Sequence, residues 1–338
     1  MDKYTIIKPL SGGPFEERIG ELETQVRDYL HDEDDEGRTL QWCKIFLSDA
    51  QNQYMQLIES ALYQVILSVQ ASTIVEQAPA DGSKIALLLK TSSEPADYEF
   101  VSMRLTDDEA RGNSSYLQTM MLFEKYLRWL KEQGLRLDTH CVRTWLYVKD
   151  IDNNYAGAVK ARNDVFQRYG LTIDTHFIAS TGIGGASHIR SAQVAIDFLT
   201  YPHIDESQKT YLKALDHLNP THEYGVAFER GTRLRLADKS IYYISGTASI
   251  DRHGHVIYLR DIGRQTRRLL DNIEALLKDG GATMHDVRYF IVYLRDVSDY
   301  QQVEAFMQEH FPTLPHIIVH AKVCRPEWLI EMECIAEL

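Results

Sequence analysis

Three stretches of the chain combine dense apolar residues with a terminal aspartate: Cys43-Lys44-Ile45-Phe46-Leu47-Ser48-Asp49, Trp145-Leu146-Tyr147-Val148-Lys149-Asp150 and Ile291-Val292-Tyr293-Leu294-Arg295-Asp296. Each has an aromatic residue three places before the Asp, and each reads as a strand. Helical apolar spacing follows each one, over 51–63, 155–169 and 299–310. Ahead of the second and third strands, Leu127, Leu130 and Gly134 fall in register with Ile273, Leu276 and Gly280. Both sets predict an amphipathic helix stopped by glycine. A shorter version, 15–30, precedes the first strand. It is followed by the acidic run His31-Asp32-Glu33-Asp34-Asp35-Glu36, expected to be a solvent-exposed turn. A last strand closes each unit, over 83–89, 193–199 and 329–336.

Three matches in one order make a tandem repeat. Alternating strands and helices predict an α+β chain of three units, each a mixed sheet with helices on one face. Boundaries are expected near Ser92-Ser93-Glu94-Pro95 and between 205 and 220, giving units 1–95, 96–205 and 206–338. The third unit alone shows a full leading hairpin, with strands at 232–236 and 241–246 around the turn Ala237-Asp238-Lys239-Ser240. A sheet covered on one side leaves its other face to be buried. We therefore expect the three units to close on one another as a pseudo-threefold monomer, or to associate weakly with further copies.

Composition narrows the partners. A length of 338 residues suits two or three domains, and 44% apolar with 25% charged residues is ordinary for a globular chain. The net charge of -13 argues against nucleic acid. An anionic small molecule would need a local arginine cluster against that field. Cys43, Cys141, Cys324 and Cys334 form no CxxC pair and no disulfide framework, which favours the cytoplasm. The first residues lack the pattern of a secretory leader, and no run of 18 apolar residues points to a membrane span. His253 and His255, like His316 and His320, lack partners at zinc spacing, so no metal or other cofactor is expected.

The closing strand carries the candidate chemistry. Glu331 and Glu333 lie two apart, on one strand face, and Ile330, Met332 and Cys334 lie on the other. Taken alone, the acid pair is either a wet edge or the acid of an active site. Ser180-Thr181-Gly182-Ile183-Gly184-Gly185 lacks the lysine of a P-loop. It reads as a plain turn, or as a turn whose N–H groups face a carboxylate.

Residues 220–338 resemble the YjgF/RidA family of small trimeric α+β proteins. The resemblance rests on Ile244-Ser245-Gly246-Thr247-Ala248-Ser249, the helix from Gln265 to Ile273, and Ile330-Glu331-Met332-Glu333-Cys334-Ile335-Ala336. Deaminases of that family hold the substrate carboxylate with an Arg shortly after the Pro that precedes the penultimate strand. Here Pro315-His316 stands at that place, and a His cannot replace the guanidinium fork.

A larger resemblance, over 120–338, is to the chorismatases, on Ala179-Ser180-Thr181-Gly182-Ile183-Gly184-Gly185, Ser245-Gly246-Thr247-Ala248-Ser249 and Val323-Cys324-Arg325-Pro326. It implies a cofactor-free enzyme that releases pyruvate from chorismate and leaves a hydroxybenzoate or a dihydrodiol. Glu331 would protonate the enolpyruvyl group, with Glu333 as the fallback. Thr181, Gly182, Ala248 and Cys324 would shape the ring pocket, and Cys324 would bear on product type. Carboxylates of the substrate would fall to Arg162 and Arg295 across a unit boundary, with Arg230 and Tyr224 as further candidates. Arg143 ranks lower because it opens a strand. The alternatives are a non-catalytic YjgF-like protein that binds a metabolite or a partner protein, and an imine deaminase, which His316 disfavours.

Overall fold

The computed structural model describes residues 2–67 and 72–338; the side chain of Tyr224 is outside that set. The first sheet contains β1 (Asp2–Ile7), β2 (Thr39–Leu47), β3 (Ser72–Glu76) and β5 (Ile85–Ser92) in the order β1-β5-β2-β3, and β4 is the short Ala78–Pro79. The second contains β6 (Glu99–Met103), β7 (Cys141–Val148), β8 (Ala179–Gly184) and β9 (Val194–Thr200), ordered β6-β9-β7-β8. The third contains β10 (Lys209–Leu212), β11 (Gly231–Arg235), β12 (Ser240–Ala248), β13 (Val287–Leu294), β14 (His316–His320) and β15 (Ile330–Glu337), with β4 added at its edge. Each sheet is mixed: β2/β3, β7/β8 and β13/β14 pair parallel, while β2/β5, β7/β9 and β13/β15 pair antiparallel.

Helices cover one face of each sheet. They are α1 (Phe15–Asp35), α2 (Ala50–Ile58) and α3 (Ala61–Ile66), then the single turn α4 (Asp107–Ala110), α5 (Ser115–Glu132), the single turn α6 (Leu137–His140) and α7 (Ile151–Arg168), then α8 (Ile262–Asp279) and α9 (Tyr300–His310). Strand alternation sends Cys43, Ile45 and Leu47 into the helix-side core of the first sheet. Trp42 and Phe46, on the opposite face, join Trp145 and Tyr147 of the second sheet and Tyr289 and Tyr293 of the third in one apolar cluster. Each such aromatic ring contributes about 2–3 kcal/mol by leaving water. Edges join as well. Residues of β4 pair with Val319 and His320, Glu76 pairs with Ala186, and the N–H of Gly184 donates to the Lys322 carbonyl at 2.8 Å. No helix among the described residues is long and apolar enough to cross a membrane.

The repeat carries through to register. Phe46, Tyr147 and Tyr293 stand opposite Ala86, Ala195 and Glu331. Lys44, Trp145 and Ile291 stand opposite Leu88, Asp197 and Glu333. Glu331 is thus the acid at a position that the other sheets fill with alanine.

Three local expectations are corrected. The acidic run at 31–36 is the end of α1, and Glu33 is buried there, because Lys3, Arg38 and Thr91 all donate to its carboxylate. The helix expected over 51–63 breaks after Ile58, where the Ser60 hydroxyl caps α3 by accepting from the N–H of Tyr63. Most of the Ser180–Gly185 string is not a turn but β8, because parallel pairing along β7 supplies backbone partners that a local turn would otherwise provide.

Candidate active site

A cavity of about 240 Å³ opens between the second and third sheets. The second contributes Ser180 and Gly182 from β8, and α7 behind it contributes Tyr155 and Arg162. Seven residues apart, Tyr155 and Arg162 are two helical turns apart and share a face. The third contributes Gly246 and Ala248 from β12, Glu331 from β15, Phe228 and Arg230 ahead of β11, and Cys324, Arg325 and Trp328 from the loop after β14. Val226 and Ile250 complete the lining.

Glu331 and Glu333 have divided the work of the acid pair. Glu333 turns to the unit boundary and is 3% exposed. It accepts from Arg143 Nη2 at 2.9 Å, from Trp145 Nε1 at 2.8 Å and from the Thr181 hydroxyl at 2.5 Å. Thr181 in turn accepts from Arg143 Nη2 and from the N–H of Gly246, and Arg143 Nη1 donates to the Ser245 hydroxyl at 2.8 Å. Glu333, surrounded by donors, is fixed as an acceptor rather than held in reserve as an acid. Arg143 does not line the cavity, because it is spent on this network.

Glu331 faces the cavity at 5% exposure. Burial pushes its carboxyl up to about 8, with the neighbouring Glu333 charge adding to the rise and Arg143 and Arg230 opposing it. A carboxyl raised this far is largely protonated at pH 7, and it faces the cavity.

Three guanidinium groups share the cavity with that acid. Arg162 is buried, lies 5.7 Å from the Phe228 ring centre and donates to the Ser180 hydroxyl at 3.4 Å. Arg230 sits over the same ring at 5.6 Å and donates to both the carbonyl and the side-chain oxygen of Asn219. Arg325 stacks 4.7 Å from the Trp328 ring centre, and its Nη1 donates to the Gly254 carbonyl. The arrangement suits an anion with more than one carboxylate, against the net charge of the whole chain. Opposite them, the Tyr155 hydroxyl bonds the Cys324 sulfur, and burial pushes that thiol up to about 12. A thiol so reluctant to ionise is a wall rather than a nucleophile.

Of the residues singled out from sequence, Arg162, Gly182, Arg230, Ala248, Cys324 and Glu331 line this one cavity. Thr181 lies just behind it. Tyr224's side chain falls outside the described residues. Arg295 is elsewhere: its Nη1 donates to the Val323 carbonyl at 2.7 Å and its Nη2 pairs with Asp152 at 2.6 Å, so it ties the third unit to α7 instead of meeting Arg162. Sequence reasoning missed Tyr155, Phe228, Arg325 and Trp328. Two signals were present: the two-turn spacing of Tyr155 from Arg162, and the continuation of Val323-Cys324-Arg325-Pro326 to Trp328.

Comparison with known proteins agrees with the fold. The protein-family model for Endoribonuclease L-PSP matches residues 232–338. The 3-aminoacrylate deaminase RutC of Acinetobacter baylyi is 30% identical over 101 residues, which is 29% of this chain and 80% of that protein. A chorismatase crystal structure shares the fold from end to end, with a TM-score of 0.69 over 99% of this chain and 98% of that one, at 19% identity.

Proposed function

The chain belongs to the Endoribonuclease L-PSP family, and from that premise we propose that it is a chorismatase-like enzyme that releases pyruvate from chorismate. The observation that carries this reading is Glu331, a buried carboxyl held protonated at the wall of a cavity lined by three arginines. An enol ether is cleaved by protonating its methylene carbon, and that needs an acid that still holds its proton near pH 7.

In the proposed reaction, Arg162, Arg230 and Arg325 bind the two carboxylates of the substrate. Glu331 gives its proton to the methylene carbon; the C=C electron pair forms the new C–H bond and leaves an oxocarbenium ion. Water or a hydroxyl of the same substrate adds to that carbon, and the ether C–O bond then breaks to give pyruvate. The proton released by the attacking hydroxyl restores Glu331. With water, the hemiketal breaks its bond to the ring oxygen, that oxygen takes the hemiketal proton, and the coproduct is a dihydrodiol. With the internal hydroxyl a cyclic ketal forms; one ring C–O bond breaks as the neighbouring ring C–H gives up its proton, the ring becomes aromatic, and breakage of the remaining pyruvyl C–O bond leaves pyruvate and a hydroxybenzoate whose phenolate takes up that proton. Gly182, Ala248 and Cys324 shape the ring end of the pocket, Thr181 braces it from behind, and no cofactor takes part.

The same reading gives the chain three domains, 1–95, 96–205 and 206–338, arranged as a pseudo-trimer that acts as a monomer. Ala86 and Ala195 at the positions level with Glu331 support a single working site among three related junctions. Four cysteines without a disulfide suit a reducing compartment such as the cytoplasm.

The test is direct. Purified protein is mixed with chorismate, and pyruvate is followed by coupling to lactate dehydrogenase. Pyruvate above the uncatalysed background, lost in Glu331→Gln, supports the proposal; background alone rejects it. The RutC relative favours one rival, deamination of an imine. His316 supplies no guanidinium for it and is paired with Glu304 at 3.3 Å, away from the cavity. Ammonia release from freshly generated 2-aminoacrylate faster than its uncatalysed hydrolysis would favour that rival.

A further inference from the structure

The Glu331 cavity shares a wall with a second one. None of the residues lining the first is exposed; each is buried or half-buried. Behind Phe228 and Arg230 lies a cavity of about 150 Å³, and these two side chains line both spaces. The outer space is open to water on its far side, where Ile173 is 66% and Leu215 is 56% exposed. The Phe228 ring and the Arg230 guanidinium stand between the two spaces.

The outer space has a charge of its own. Lys213 and Arg230 line it, with His176 and His222 beside them. Against them stand Glu229, which accepts from the N–H of Phe177 at 2.8 Å, and Glu206, 3.6 Å from His176 Nε2. Two fixed cations to one lining acid let this space receive an anion on a chain of net charge -13.

The partition is held from the neighbouring unit. The Asn163 amide on α7 donates to the Gly225 carbonyl at 3.0 Å, and its oxygen accepts from the Ala227 N–H at 3.2 Å. Gly225 has a φ of +83°, a conformation that glycine adopts without strain. The Thr221 hydroxyl donates to the Phe228 carbonyl at 2.6 Å. Two side chains thus fasten a short segment that ends in the shared wall.

We propose that the outer cavity is a vestibule through which a small carboxylate anion reaches Glu331, with Phe228 and Arg230 as its gate and Asn163 as the latch. The anionic class rests on the proposed function; the route does not.

Cys324 makes the route measurable without turnover. It is half-buried in the inner cavity, while Cys43, Cys141 and Cys334 are buried. The folded full-length protein is treated with an excess of sulfonatoethyl methanethiosulfonate, an anionic reagent that reacts with the small thiolate fraction of Cys324; all variants are held at one pH, labelling is timed by mass spectrometry, and Cys324→Ala is the blank. Ile173→Trp and Leu215→Trp, both at exposed positions, are each expected to slow labelling at least 5-fold. Asn163→Ala is expected to speed it at least 5-fold. Lys213→Glu should slow the anionic reagent at low salt and leave the neutral methyl reagent unaffected. Labelling of Cys324 at the wild-type rate in both tryptophan variants and in Asn163→Ala overturns the proposal. If chorismate is not turned over yet labelling responds as expected, the function fails and the vestibule stands. If pyruvate is released and labelling does not respond, the vestibule fails alone.

Discussion

The Glu331 carboxylate occupies the space that a side chain at Gly246 would need: a Cβ there would stand 1.9 Å from Glu331 Oε1 and 3.0 Å from Thr181 Cγ2. Thr181 is held by Arg143 and Glu333 and cannot yield cheaply, so the displacement falls on the Glu331 carboxyl, the free end of a side chain that borders the cavity. Gly246→Ala is therefore expected to push the acid out of place. Pyruvate release should fall by about 100-fold, the scale of a 1 Å misplacement. Stability should drop by about 1–3 kcal/mol, as for other overpacked sites. Full activity in this variant, measured beside a thermal melt, would remove Glu331 from the chemistry.

The acid also sets a pH dependence. With its carboxyl raised from 4.5 to about 8, Glu331 is protonated through neutrality and loses its proton above that value. Pyruvate release should be level on the acid side and fall tenfold per pH unit once well above about 8. Between 4.5 and 8 the native state holds a proton that the unfolded chain lacks. The contribution of this group to stability therefore decreases as pH rises through that window, by at most ~1.4 kcal/mol per unit. Urea denaturation at pH 5 and pH 8 measures it, and Glu331→Gln should flatten the difference.

Much of this was legible because the repeat places an aromatic residue three before an aspartate, and that pattern survives in strands β2, β7 and β13. Strand alternation then told which face each acid shares, so Glu331 could be named. What alternation cannot tell is which surface another unit covers. Arg143 ranked low because it opens a strand, yet β7 meets β9 with a register shift between Cys141 and Arg143. Arg143 shares its strand face with Trp145 and Tyr147, and there its charge meets Glu333. Arg295 looked like a carboxylate fork because nothing in the chain announces that Asp152, 143 residues away, will pair with it. The Gly-rich string at 180–185 has turn composition, and only pairing along β7 makes most of it a strand.

Glu333 should matter to stability and to the acid together. Glu333→Gln leaves the Arg143 guanidinium buried without its counter-charge, an expected loss of about 3–5 kcal/mol. The uncompensated positive charge also draws the Glu331 carboxyl downward. The alkaline limb of the pH profile should thus move to lower pH, which a merely structural defect would not do. A profile unmoved in position, in protein that remains folded, would dissociate the two carboxyl groups.

The arginines should separate by role. Arg162→Lys keeps the charge but loses the fork, so KM for chorismate should rise about 10-fold or more with folding intact. Arg295→Met breaks a partly exposed pair with Asp152 and the hydrogen bond to the Val323 carbonyl. It should leave KM unchanged and cost about 1–2 kcal/mol. Steady-state kinetics on both variants check this, and a raised KM in Arg295→Met alone would reverse the assignment.

Lys44 carries a charge from the first unit into the shared interior. It is 1% exposed, and its ammonium has no hydrogen-bond acceptor among the described residues, lying 5.1 Å and 5.0 Å from the Phe46 and Tyr147 ring centres. Burial lowers its ordinary value to about 8, against the pull of Glu333 and Asp197. Between 8 and 10.5 the unfolded chain holds a proton that the native state has released, so this group's contribution to stability rises with pH across that window. At neutral pH the charge is buried at a cost that Met would not bear. Lys44→Met should therefore stabilise the protein by about 1–4 kcal/mol at pH 7, the range seen when buried charges give way to packed apolar side chains. The gain should shrink as pH rises through 8 to 10.5. Chemical denaturation at pH 7 and pH 9 reads both effects, and a destabilised Lys44→Met would mean that the ammonium is held by Glu333 and Asp197 more strongly than its burial costs.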